Sequence, residues 1–397
     1  MKLERIIKDP KASLNYMERL VNNGSPSGFT EINTSSDKTN PFKVDGFYLK
    51  MLSGGELETF GDPPKDLCAL NGLLVHSDWE NIIERKDLLH DTTLYVIPTS
   101  SFRTVKVFDS NYYIKLSYPG VIGRMRRNLE EKHILSGIQL TRILEEMVCN
   151  ERVNKFFAFL PESSGVSMAL GNGRSTGYVV RGATPIGKNT SKIAYVIPAF
   201  SLFGKDRGNA DDSEILKQIL LYKKVGNDYL LSNLIYPLID IYFDCLLREG
   251  ISPEMHSQNI LFGFDKDWNI ASVILRDLES IDKDITIRAA LGKSDFINSY
   301  KTIKETDYNY LIKHSFMFDH KLGEYLVEEL IVCASQVKSV NEIELRKSIK
   351  EYTNRKYSEH FARLFPSDGK RYKFEKVKIN HDLPSRPYVA LNNSTLR

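Results

Sequence analysis

The sequence predicts an α+β chain in two lobes, a mixed sheet-and-helix lobe followed by a larger, mostly helical one. Three observations carry that expectation. The first part of the chain alternates short β-branched and aromatic runs with turn residues. Most of the second half has helical periodicity, from about Ser213 onward. Between them, the Gly/Ser-rich stretch Ser163 to Gly177 reads as a joint, which sets the lobes at residues 1–165 and 166–397. A chain of 397 residues is long enough to give each lobe a core.

Element by element, Lys11 to Val21 is expected as a short helix, stopped by Asn22-Asn-Gly-Ser-Pro26, and the polar run Ser25 to Asn40 as a loop. Strands are expected near Phe47–Met51, Gly72–His76 and Leu94–Ile97, then a hairpin, and a helix from about Ile122 to Met147. The second lobe opens with strands Tyr178–Arg181 and Ile193–Pro198. Helices follow over Ser213–Lys224 and Asp228–Arg248, with Pro237 kinking the second. Strands Ile260–Phe264 and Ile270–Leu275 form a second hairpin, and the remainder is mostly helical to about Phe365.

Two constellations carry chemistry. Glu254, His256, Gln258 and Asn259 precede the second hairpin, and Arg276-Asp277 follow it, so Asn259 is expected almost opposite Arg276 and Asp277. An amide oxygen and a carboxylate at the open end of a hairpin suit Mg²⁺. In the first hairpin, a three-residue turn at Asp109–Asn111 would set Val105 opposite Lys115 and Arg103 opposite Ser117, making Arg103 and Lys115 diagonal neighbours on one face. Two adjacent cations call for an anion between them. Arg124, Arg126 and Arg127 are expected in the first turns of the following helix, against its dipole, which points to a phosphate at the helix start.

Taken as a series, Ser101-x-Arg103-Thr104, Lys115, Arg127, Glu254-x-His256-x-Gln258-Asn259 and Arg276-Asp277 resemble the motifs of the NRPS-independent, aerobactin-synthetase-like siderophore synthetases. Val180-Arg181-Gly resembles that family's arginine strand, and Val75-His76 to Trp79-Glu80 resembles its His-Pro-Trp-Gln element. The resemblance implies a fingers-like lobe and a palm-like lobe with ATP between them. It also implies transfer of AMP to a carboxylic acid, then capture of the acyl group by an amine or alcohol. Ser101, Arg103, Thr104, Lys115, Arg127, His256, Gln258, Asn259 and Asp277 would bind the nucleotide. Lys115, Arg127 and His256 would be catalytic, and Glu254, Asn259 and Asp277 would hold Mg²⁺. The family's long N-terminal segment is largely missing, and its Gly-His-Pro-x-His-Pro element has lost both histidines near Pro41-Phe-Lys43, so an acid other than citrate is expected. Lys376 or Lys378 could match a late family lysine.

Composition sets outer bounds. Apolar content of 42%, charged content of 26% and a net charge of +3 are those of a globular chain with no nucleic-acid or membrane partner. Cys68, Cys149, Cys245 and Cys333 have no paired spacing, which suits reduced thiols. No membrane-spanning run is read, and the start is charged and amphipathic rather than a signal peptide, so a cytoplasmic location is expected, with a homodimer as the candidate assembly. Two other readings stay open. A His…Asn strand followed by an Asp strand also fits a kinase-like phosphotransferase, although no Gly-rich phosphate loop is present. The lost histidines fit a catalytically silent nucleotide binder.

Overall fold

The computed structural model describes residues 1–22, 44, 46–81, 86–101, 103–122, 125–171, 174–209, 211–296, 302–374 and 388–397, with side chains undescribed at 86, 121–122, 125–127, 171, 174 and 374. The Ser25–Asn40 loop, the Pro41–Lys43 element, Gly123, Arg124, Lys376 and Lys378 therefore lie outside the described residues. The strands that frame the site are Phe47–Leu52 (β1), Leu57–Gly61 (β2), Leu73–Val75 (β3), Leu89–Pro98 (β4), Thr104–Val107 (β5) and Tyr112–Leu116 (β6). A short hairpin, Tyr118–Ile122 (β7) and Met125–Arg127 (β8), leads to helix Glu131–Cys149. Phe157–Phe159 (β9), Glu162–Gly171 (β10), Arg174–Gly182 (β11), Ile186–Gly187 (β12) and Tyr195–Pro198 (β13) come next. After helix Tyr236–Glu249 the chain forms Ile251–Ser252 (β14), Ile260–Phe264 (β15) and Ile270–Leu275 (β16).

An eight-stranded antiparallel sheet has the order β2-β10-β11-β6-β5-β4-β1-β3. One face is apolar, with Val105, Val107, Ile114, Leu116, Val166 and Val180 in a core of their own. Helix Glu131–Cys149 covers the other, packing Ile134 and Ile138 on Val179. Gly165 and Gly177 permit that approach, since a Cβ on them would lie 2.8 and 3.1 Å from Ile134 side-chain atoms. The second sheet, β12-β9-β16-β15-β13, is antiparallel except for β9 beside β16. Every residue of β15 and β16 is buried. A two-sided environment explains their continuous apolar run.

Several sequence expectations need correction. The stretch Ser163–Gly177 is not a joint but most of the β10–β11 hairpin of the first sheet, with Glu162 paired to Arg181. Its small residues serve close helix-on-sheet packing, and the chain passes from the second sheet at β9 back to the first before returning at β12. In the first hairpin, Lys115 opposes Thr104 rather than Val105. The turn holds four residues, because Phe108 N–H bonds Tyr95 O and Asp109 takes a left-handed φ of 52°. The basic helix does not begin at Ile122. Its N-cap is Glu130, whose side chain exchanges bonds with His133, and acidic Glu131 follows, as the dipole favours. Arg127 is on β8, so a helix-start phosphate is not the explanation for it.

Pro237 follows a π-helical turn at Leu231–Ile235, which accommodates its missing N–H. Helix Asn227–Glu249 is, contrary to expectation, long and apolar enough to cross a bilayer by length and composition. It lies mostly buried in the largest core, which explains its apolar character without a membrane. All four cysteines are free thiols.

Candidate functional site

The site forms where the end of β16 meets the helix-covered face of the first sheet. β6 places Lys115, and β11 places Arg181, on neighbouring strands. Arg103 lies one residue ahead of β5, outside the strand alternation, and so can reach the same place despite the shifted register. All three meet the turn after β16. Lys115 bonds Asp277 Oδ1 and lies 2.6 Å from Glu279 Oε2. Arg181 Nη2 donates to Asp277 Oδ1 at 3.0 Å, and its Nε and Nη2 hold Glu162 Oε1 at 3.0 and 2.5 Å. Arg103 Nη2 donates to both Glu279 oxygens at 3.3 and 3.4 Å.

Among the described residues, three cations thus face three carboxylates in a largely buried cluster of zero formal charge. Burial alone would raise the Asp277 carboxyl, but Lys115 and Arg181 outweigh it and hold it far below the usual carboxylate range. Burial likewise opposes ionisation of Glu279, and Lys115 with Arg103 overcomes it. Asp277 has φ 69° and ψ 62°, a left-handed conformation uncommon for a residue other than glycine.

The hairpin β15–β16 joins this cluster to the histidine segment with the register read from sequence. Ile260 opposes Leu275, and Arg276 N–H donates to Asn259 O at 2.9 Å. The Asn259 Nδ2 hydrogens go to Glu254 O (3.0 Å) and Ser280 Oγ (3.1 Å). A carbonyl partner fixes the amide orientation, and no described residue donates to Oδ1. His256 Nδ1 accepts the Gln258 N–H at 3.2 Å, which leaves the proton of a neutral ring on Nε2. Burial pushes the His256 pKa down to about 4, with Glu254 partly opposing and Lys321 adding to the effect. Glu254 Oε1 pairs with Lys321 at 2.6 Å, and its Oε2 is 3.8 Å from His256 Nε2. Lys321 comes from the π-helical segment Phe316–Glu328.

Of the residues singled out in the sequence, Arg103, Lys115 and Asp277 are brought together directly, and Asn259 and His256 are tied to them through the hairpin. Ser101 Oγ donates to Thr104 Oγ1 at 3.2 Å, beside Arg103. The Gln258 backbone holds His256 and, through its carbonyl, Arg276 Nε at 2.8 Å. Arg127 is paired with Tyr118 on the β7–β8 hairpin, and its side chain lies outside the described residues. Glu254 is engaged by Lys321 and His256 rather than by the Asp277 cluster. His76 is fully buried against Tyr118. Sequence reasoning missed Glu279 and Glu162. The signal for Glu279 was an acid two residues after Arg276-Asp277; for Glu162 it was the cross-strand count to Arg181.

A model of the IucA / IucC family matches residues 73–203, from β3 through β13 and including Arg103, Lys115 and Arg181. Over that segment the chain is similar to the IucA / IucC family. Solved structures with the same fold extend the likeness beyond the matched segment. ATP-bound aerobactin synthetase IucA from a hypervirulent pathotype of Klebsiella pneumoniae superposes with a TM-score of 0.65 at 14% identity, over 99% of this chain and 80% of that one. Aerobactin synthetase IucC from the same source gives 0.61 at 12% identity, covering 86% and 69%. Petrobactin biosynthesis protein AsbB from Bacillus anthracis gives 0.62 at 15% identity over 82% of this chain, which spans 64% of the length of AsbB. No curated protein sequence matches.

Protonation at His256 makes a first prediction. Its folded pKa of about 4 lies below the ordinary imidazole value of 6.5, so the unfolded chain binds more protons between those limits. Stability should therefore fall as pH drops through 6.5 and continue falling to about 4, by up to about 3 kcal/mol from this group. His320, also pushed down to about 4 by burial and by Lys321, adds to the same slope. Calorimetric melting between pH 7 and 4.5 should show His256→Gln with a shallower decline than the unsubstituted protein. An identical slope would mean His256 titrates normally.

Proposed function

We propose that the protein is an ATP-dependent, AMP-forming ligase that activates a carboxylic acid and condenses it with an amine or hydroxyl in siderophore or related small-metabolite assembly. The observation that supports it most is the convergence of Arg103, Lys115 and Arg181 on Asp277 and Glu279, in a fold shared with an ATP-bound aerobactin synthetase. In the first step, a carboxylate oxygen attacks the α-phosphorus and pyrophosphate leaves. In the second, the nucleophile attacks the acyl carbon, loses its proton and releases AMP. Arg103, Lys115 and Arg127 neutralise charge developing on the phosphates. Neutral His256 acts through its Nε2–H as a hydrogen-bond donor to the α-phosphate or acyl oxygen, since it carries no charge near pH 7.

A cluster of zero net charge attracts a polyphosphate weakly. The donor set fits Mg²⁺, which takes hard oxygen ligands and commonly uses one or two protein groups plus phosphate oxygens. Asp277 and the Asn259 Oδ1 are of that type, whereas Glu254 is held by Lys321. Among the described residues no group of three or more His, Cys, Asp or Glu side chains forms a cage, so the ion would arrive with its nucleotide. Bound there, Mg²⁺ would supply charge neutralisation across the phosphates.

Incubation with ATP, Mg²⁺ and citrate, dicarboxylates or citryl-amide conjugates tests the reading. Pyrophosphate and AMP released with one of the acids are the expected products. ADP would move the protein to the phosphotransferases, and nucleotide binding with neither product would make it a silent binder. The replacement of both family histidines near Pro41 supports an acid other than free citrate, so kcat/KM should be higher for another member of the panel.

A further inference from the structure

The last turn of helix Pro10–Leu20 touches both the turn after β16 and the segment before β5. Glu18 Oε1 meets Arg276 Nη1 at 2.5 Å, with the two side chains 3% and 11% exposed. The next residue, Arg19, donates from Nη1 to Thr99 O at 3.3 Å, on the segment leading to Ser101 and Arg103. The helix end is itself anchored, through Ser201 Oγ to Val21 O at 2.8 Å and Tyr16 OH to Asp206 at 2.8 Å. Arg276 also gives Nε to Gln258 O at 2.8 Å and its backbone N–H to Asn259 O. Its guanidinium is thereby clamped between the helix and the histidine segment.

Asp277, immediately after this clamp, is the residue in the left-handed conformation. Such backbone persists only where its surroundings over-determine it. On its far side Ser280 returns both its N–H (3.0 Å) and its Oγ–H (2.7 Å) to Asp277 O. On its near side the fixing element is Arg276, and the carboxylate that holds Arg276 is Glu18. We infer that Glu18 is a positioning residue for the nucleotide site: it clamps Arg276 so that Asp277 faces Lys115 and Arg181. This inference rests on the function proposed above. Without the Glu18 charge, a buried guanidinium seeks another carboxylate. Its departure from the helix end releases the near side of Asp277, whose carboxylate then no longer stays against Lys115 and Arg181.

The test is calorimetric titration with Mg-ATP, run beside thermal melting on the full chain. Glu18→Gln, which preserves size, should weaken Mg-ATP binding about tenfold, as coupled neighbours do. The same substitution should have little further effect in an Asp277→Asn background, because both act through Asp277. A double variant, Glu18→Met with Arg276→Met, replaces the pair by apolar groups and should melt near the unsubstituted protein while keeping the weakened binding. It also carries the test if Glu18→Gln fails to fold. Full Mg-ATP affinity in Glu18→Gln or in the double variant, or losses that simply add to those of Asp277→Asn, would reduce Glu18 to a structural contact and overturn the inference. Absence of Mg-ATP binding by the unsubstituted protein would instead overturn the proposed function, and this inference with it.

Discussion

Lys115→Met is expected to remove most ATP-dependent activity, about 10²–10³-fold, and to destabilise the fold at the same time. The two effects share one cause. The Lys115 ammonium is 4% exposed and serves both Asp277 and Glu279. Breaking a buried ion pair from one side leaves an uncompensated charge, at a cost of about 3–5 kcal/mol. Glu279, itself 5% exposed, would keep the longer hydrogen bonds from Arg103, at 3.3 and 3.4 Å. Its carboxyl should then shift upward and take a proton at a higher pH, since Lys115 is the largest influence holding it low. Adding Glu279→Gln to Lys115→Met separates the roles. Removal of the stranded charge should recover much of the melting temperature, whereas nucleotide affinity should stay low. Calorimetric titration with Mg-ATP beside differential scanning calorimetry measures both. Full activity in Lys115→Met would take Lys115 out of the phosphate site.

How much of this site could be read from the chain depends on how local its contacts are. The β15–β16 hairpin was legible because both strands are short apolar runs and the turn between them is closed by Asp265, whose side chain accepts from Asp267 and Asn269 N–H groups. Counting outward from that turn places Asn259 beside Arg276, as found. The β5–β6 register was not countable in the same way. Lys106 Nζ donates to Ser110 O at 2.5 Å inside the turn, and Phe108 bonds β4, so a third strand and a side chain decide the loop length. The β10–β11 hairpin was hidden by its own composition. Glycines selected for contact with Ile134 look, in sequence, like those of a linker. Glu18 and Arg276 are 258 residues apart and each is unremarkable in its own segment, so no local pattern announces the pair. Fold class was legible because it rests on periodicity, and Arg103, Lys115 and Asp277 because residue type and hairpin position mark them. The place of Arg181 in the cluster, where the sequence suggested Arg127, and the carboxylates Glu162 and Glu279 were not, because only the tertiary fold brings them there.

That neutrality leads to the second large effect: Asp277→Asn should shift the affinities for metal-free ATP and Mg-ATP in opposite directions, whereas Asn259→Ala should shift only the second. With Asp277 ionised, the cluster has three cations and three carboxylates. Asp277→Asn leaves one net positive charge beside the phosphates. Metal-free ATP should therefore bind more tightly than to the unsubstituted protein, while Mg-ATP should bind more weakly because a ligand of the ion is gone. Asparagine is also the substitution best suited to the backbone there, since it tolerates the left-handed region that Asp277 occupies. Asn259→Ala removes an oxygen donor without changing charge, so it should weaken Mg-ATP alone. Changes of about tenfold in each direction correspond to roughly 1.4 kcal/mol, small against the interaction of neighbouring charges near a protein surface. Titrations of the unsubstituted protein and both variants, in excess Mg²⁺ and in EDTA, give the six affinities needed. If Asp277→Asn weakens both forms of ATP equally, Asp277 holds the turn and not the metal. If metal-free ATP is the tighter ligand of the unsubstituted protein, the phosphates are held by cations outside this cluster, and the charge argument for magnesium fails with it.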